Sequence, residues 1–224
     1  MRIGFVSRGT LNGFWEKYGG SEADVLLFGF NGADGAVSYE REISGETSVF
    51  EDVAILSRSG KGVVVCGLVT DTRGIRRKSA VVAEKGKILG VSDALNAIDG
   101  ECSCGAGLRV YDTSCGRLGV AVAEDLYFPE ILRSLSIFGS DLIVCPFTAV
   151  TDTTELTLLR AAAFSYGVPI AFCACGYAAI ADVSGGLAFA SPDSPVEFSL
   201  DKKREYHLIE IRQRGFYKER RKDF

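Results

Sequence analysis

Histidine is nearly absent from this 224-residue chain: the single one, His207, lies in an alternating strand-like segment. Ser-His-Asp, Cys-His and histidine-rich metal chemistry would each depend on that one residue, which the pattern reads as structural. Long apolar runs are missing too. The stretches 62–69 and 168–173 are of strand length, far short of the ~20 residues a membrane span requires, so no membrane partner is expected. Nor is there a basic excess: 25 Lys and Arg stand against 29 Asp and Glu, a net charge of −4 that gives a phosphate backbone no footing and excludes a nucleic-acid partner from the expectation. Residues 2–6 open directly as a strand and not as a basic, apolar secretion signal, which predicts a cytoplasmic protein. The seven cysteines are odd in number, in a chain large enough to stand without staples. Reduced thiols are therefore expected, without a disulfide framework.

What is present is a substantial core. Hydrophobic residues make up 47% of the chain, and a single domain of this length buries roughly 70% of its unfolded surface. With no linker, low-complexity tract or internal repeat, one domain over 1–224 is expected, ending in a charged tail, 212–224, that carries Phe216, Tyr217 and Phe224. Strand-like runs recur at 3–6, 24–30, 63–69, 79–89, 108–111, 118–123, 142–146, 169–173, 187–190 and 207–211, with hairpin-like joins at 84–87 and 113–116. That is an α/β (α+β) chain with antiparallel pairs mixed among helical crossovers. Three helices are predicted. One runs from Pro129 to Phe138 and is closed by Gly139. A second opens on a capping box, Asp152-Thr153-Thr154-Glu155, turns Leu156, Leu159, Ala163 and Tyr166 to one face and stops at Gly167. The third covers 47–56.

The stretch 116–133, GRLGVAVAEDLYFPEILR, carries the strongest motif. Leu118, Val120 and Val122 alternate as a buried strand, Asp125 follows, and Phe128-Pro129-Glu130 opens a helix with proline in its first turn. This resembles the nucleophile strand and helix of the carbon-nitrogen hydrolase (nitrilase) superfamily, in which the strand ends in Cys-x-Asp; here the cysteine's place is held by Ala123. The resemblance extends to 23–32, ADVLLFGFNG, where the family's strand ends in Pro-Glu and this chain has Gly29-Phe30. It continues at 87–90, and at Glu101 with Gly107, which match a Glu-x-x-Phe-x-Pro-Gly segment. Counting back from Glu101 puts the family's lysine at Ser92, Asp93 or Ala94, with Asp93 central, and no lysine occurs between Lys87 and Lys202. The run 139–146, Arg160-Ala161 and the closing 210–212 and 220–224 also resemble family segments.

The resemblance implies a four-layer α-β-β-α sandwich, a homodimer or higher homo-oligomer packed through helices, and an amide-like small molecule as candidate ligand. It also implies a pseudoenzyme. At Phe30 a phenyl ring cannot act as the family's general base, at Asp93 the oxyanion-stabilising amine is missing, and at Ala123 there is no nucleophile. The expected function is therefore binding or assembly on an amidohydrolase-like scaffold. The alternative is a hydrolase of C-N bonds other than peptide bonds with a displaced catalytic set, drawn from a pocket of Glu101, Glu124, Asp125 and Cys145.

For Cys145 no lysine or histidine is evident that would lower its pKa, and apolar burial would raise it, so it reads as filler. Asp125 reads as an acceptor that orders a loop. The pairs Cys102-x-Cys104 and Cys173-x-Cys175 raise a thiol metal-binding protein as a further alternative, but the spacing is the looser form and neither a metal nor a cofactor is assigned. Glycine clusters at 18–20 and 183–186 read as turns.

Overall fold

Short runs of β-branched and aliphatic residues that are apolar at nearly every position favour strands covered on both faces, and the first strands of the chain are of this kind. Arg2–Val6 (β1) is buried after its first residue and Val25–Phe28 (β2) throughout. The structure is a computed structural model that describes residues 1–12, 14, 21–60 and 62–201. The expected strand at 207–211 with His207, the aromatic tail 212–224 and the glycines at 19–20 lie outside the described residues.

Ala36–Ser38 (β3) leads into a short helix, Tyr39–Ser44 (α1), and a second, Val49–Ser59 (α2), that runs three residues past the expected end. Next come Val63–Thr72 (β4), Ile75–Glu84 (β5) and Lys87–Asp93 (β6). The hairpin expected at 84–87 joins β5 to β6, with Lys85 and Gly86 both at positive φ. Together these strands form one sheet in the order β13-β1-β2-β4-β5-β6, with β3 paired to β4 and Val196–Ser199 (β13) at the edge.

The second sheet holds Val110–Thr113 (β7), Gly116–Val120 (β8), Leu142–Pro146 (β9), Ile170–Ala174 (β10), Tyr177–Ala181 (β11) and Leu187–Ser191 (β12), in the order β12-β11-β10-β9-β8-β7. Its helices are Pro129–Ile137 (α3) and Thr154–Tyr166 (α4). Helix α4 ends as expected at Gly167, in the left-handed conformation, but its start differs from the capping box. Thr153 makes no side-chain cap; Asp152 Oδ1 accepts the Thr154 N–H instead, at 2.5 Å. Glu155, freed from that duty, is buried with Leu159, Ala162 and Ala163.

Three apolar layers hold the elements together. Between the sheets lie Ile3, Phe5, Val65, Val82, Val120, Val144, Ala171 and Ile180. Val53 and Leu56 of α2 cover Leu26, Phe28, Val64 and Val81 on the outer face of the first sheet. Leu132, Leu135, Leu159 and Ala163 of α3 and α4 cover Ile143 and Phe172 on the second. The architecture is an α-β-β-α sandwich, as expected. Among the described residues no helix is long and apolar enough to cross a membrane.

Candidate functional site

Strand β8 leaves the second sheet through Ala121 and Val122 and turns sharply at Ala123, which opens a 310 turn, Ala123–Tyr127, before Pro129 starts α3. Ala123 has φ +49°, one of three non-glycine residues with positive φ among the described residues, and it is fully buried. L-residues adopt this conformation at a cost of about 1–2 kcal/mol, and such turns persist where the surroundings impose them. A turn of this kind lifts its side chain out of the strand. What it lifts here is a methyl group, set in the apolar layer between the sheets.

Asp125, two residues on, is 1% exposed and behaves as the loop-ordering acceptor expected of it. It takes the backbone N–H groups of Leu95 and Asn96 and the Asn96 side-chain amide, all at 3.0–3.1 Å. Burial pushes its carboxyl up in pKa, against the pull of those bonds.

Phe30 follows the end of β2 and packs, half-buried, against the same inter-sheet layer. Its ring lies over Gly67 of β4, where a Cβ would come within 2.8 Å of Cδ2. Asp93, expected near the family's lysine place, is turned away from that layer: it accepts from Ser79 Oγ at 2.6 Å, and Arg77 lies 3.9 Å away. The strand period explains it, since Ser92 and Ala94 face inward and Asp93, between them, cannot. Ser92 is buried against the Tyr111 hydroxyl at 2.8 Å.

Of the expected pocket residues, Glu101 is exposed, and its backbone N–H is donated to Asp99 Oδ1 at 3.0 Å. Cys145 is fully buried among the residues that face α3 and α4, on the opposite side of its sheet from the Ala123 methyl. Burial, reinforced by the carboxylates of Asp125 and Glu124, pushes its thiol far up in pKa. Cys173 does face the inter-sheet layer, but burial raises it to about 12. The two Cys-x-Cys pairs do not gather: Cys173 is buried on β10, Cys175 is exposed, and no group of three or more His, Cys, Asp or Glu that could hold a metal ion occurs among the described residues.

One buried charged residue beside the turn was not anticipated. Lys78, on β5 opposite Ala94, sends its ammonium inward between Glu124 and Asp99, hydrogen-bonding Glu124 Oε1 directly and lying 2.6 Å from Asp99 Oδ2. Its side chain is only 10% exposed and that of Glu124 only 9%. Burial alone would lower the ammonium's pKa; the bonds to Asp99 and Glu124 outweigh it and leave it raised. The signal was present in the sequence, because period-two counting through Lys78, Ala80 and Val82 puts the lysine on the inward face.

The fold is that of the nitrilase superfamily of carbon-nitrogen hydrolases. An amidase of that superfamily from Nesterenkonia AN1 superimposes with a TM-score of 0.75, covering 98% of this chain and 96% of its own at 18% identity. Nit3 of Saccharomyces cerevisiae, a member of branch 10 of the superfamily, does so with a TM-score of 0.74 over 99% and 96% of the two chains at 14% identity. By sequence the chain is similar to the "probable hydrolase" YhcX of Bacillus subtilis, 38% identical over 45 residues, a match that spans 20% of this chain and only 9% of that protein. No protein-family model matches the chain.

Proposed function

We propose that this chain is a nitrilase-fold protein that does not carry out Glu-Lys-Cys hydrolysis and acts by binding a small molecule or by assembly. The observation that carries the reading is Ala123: the backbone keeps the strained, side-chain-presenting turn, φ +49°, at the end of β8, and the side chain presented has no nucleophilic atom. Phe30, at the place of the family's glutamate, supports it, because a ring seated over Gly67 accepts no proton.

Lys78 qualifies as an amine near the turn, yet its charge is already taken up by two carboxylates. The competing reading is a hydrolase with a displaced catalytic set, favoured by the position of that Lys78–Glu124 pair next to Ala123. It needs a nucleophile. Cys145 faces the helices, and Cys102, part-buried near the pair, has its thiol pushed up by burial and by Asp99, so neither thiol is activated.

Incubation with a panel of small amides, nitriles and N-carbamoyl amines, read by ammonia release, tests the proposal. Release at the background rate is expected. Robust turnover that Cys145→Ala or Lys78→Met abolishes would replace it with the displaced-set reading.

A further inference from the structure

We propose that the groove between α1 and α2 is the seat of the chain's own C-terminal tail, 212–224. The inference goes beyond the binding-or-assembly reading and makes no use of Ala123. Helix α1 gives the first reason: none of its six residues is buried. Ile43, on that helix, is 85% exposed. It stands with Tyr39 and Phe50, whose ring centroids are 5.2 Å apart, around an open groove of about 350 Å³ that Gly45, Thr47 and Glu51 complete. A single exposed aliphatic side chain is ordinary on a protein surface, whereas an aliphatic group and two rings gathered on one concavity mark a contact.

The charge of this face selects the occupant. Residues 39–52 carry five carboxylates against one guanidinium, Arg41, which Glu46 engages at 3.3 Å. Glu42 turns both oxygens to the N–H groups of Val49 and Phe50 at the start of α2, and Glu51 stays exposed. An apolar floor with an acidic rim suits a segment that is both aromatic and basic. Residues 212–224 are such a segment: six Lys and Arg stand against two acidic residues, with Phe216, Tyr217 and Phe224 among them. Helices α3 and α4, which bear another exposed apolar group, offer Glu130 against Arg133 and Arg160, with Glu155 buried, and so give a basic segment no attraction. The tail also reaches the groove. Leu200 donates its N–H to the Met1 carbonyl, at the same end of the first sheet as Val63, which follows α2. Three strand spacings across (about 14 Å), one layer outward (about 10 Å) and the length of α2 back to Phe50 (about 15 Å) combine at right angles to roughly 23 Å. Residues 202–211, extended, span up to about 33 Å, which leaves 212–224 for the contact.

Hydrogen–deuterium exchange of the full chain, read by peptide mass spectrometry at two protein concentrations about a hundredfold apart, tests this. Amides in 214–224 are expected to exchange at least about tenfold more slowly than an unfolded segment, and equally so at both concentrations. Ile43→Ser and Glu51→Lys, both at exposed positions outside the core, should each return the tail to fast exchange and leave the amides of β8, β9 and β10 as slow as in the wild type. Exchange of the wild-type tail at the unfolded rate would overturn the proposal without recourse to any variant. Slow exchange that both variants leave intact would put the tail on another surface, and slow exchange confined to the higher concentration would make the occupant the tail of a second copy. Either result also overturns it. No readout here depends on amide turnover, so failure of the tail contact leaves the non-hydrolytic reading standing.

Discussion

At Ala123 two small terms oppose each other. Glycine would relieve a positive φ that costs an alanine about 1–2 kcal/mol, and it would forfeit a buried methyl worth about 0.8 kcal/mol. Ala123→Gly should therefore shift stability by less than about 1.5 kcal/mol, whereas Ala123→Val, β-branched at the same φ, should cost more than about 2 kcal/mol, both read by urea denaturation. Lys78 is the opposite case, a charge that cannot be removed singly. Its loss strands the buried Glu124 carboxylate, so Lys78→Met should cost about 3–5 kcal/mol and Lys78→Met with Glu124→Leu considerably less. The pH dependence has a defined sign. The Lys78 ammonium, raised above its ordinary 10.5, contributes fully below that pH and its contribution is lost as pH rises further; Asp99, held below 3.8 by its bond to Lys78, contributes above that value and is lost as pH falls. The wild type should lose stability at both flanks, and the Lys78→Met variant should show less of either loss. Equal flanks in both proteins would contradict the pairing.

Strands β4 and β5 show how elements shape the site. Gly67 leaves room for the Phe30 ring, and an added Cβ would lie 2.8 Å from that ring and 3.0 Å from the Gly29 carbonyl oxygen. Gly67→Ala should cost about 1–3 kcal/mol of stability, and Phe30→Ala in the same background should recover part of it; additive losses would place the ring elsewhere. The strands flanking this site were legible in the sequence because period-two burial and turn chemistry agree there: β9 matches its expected bounds, the 84–87 hairpin closes as expected, and Gly139 and Gly167 end α3 and α4. The short edge elements β3 and β13 were not legible, since three or four residues carry too little pattern, and β11, a Tyr-Ala-Ala-Ile-Ala run, has no alternation to read. At the site, counting along one strand placed Asp93 near the lysine's position but did not show which way it faces. Lys78 was missed because the expected strand began at residue 79, one short of it; its inward face could be counted from Ala80 and Val82, but its pairing with Glu124 and Asp99 depends on tertiary placement, which the sequence does not display.

On the scale of the whole molecule, the outer helices leave Ile137, Phe138 and Phe164 exposed at 43%, 53% and 54%. Aromatic and aliphatic residues grouped at the ends of α3 and α4 suit a contact with a second copy of the chain. A homodimer is expected by light scattering at micromolar concentration, and Phe138→Glu with Phe164→Glu should dissociate it; a wild-type monomer would sink that expectation. On the proposed reading the turn at Ala123 presents no nucleophile, and no other group takes its place. Intact-protein mass spectrometry of the wild type, quenched at successive times after mixing with a small amide in excess, tests it most directly. The unmodified mass is expected at every time. An acyl adduct that forms in a burst, decays with turnover and maps to any one of the seven cysteines would contradict it.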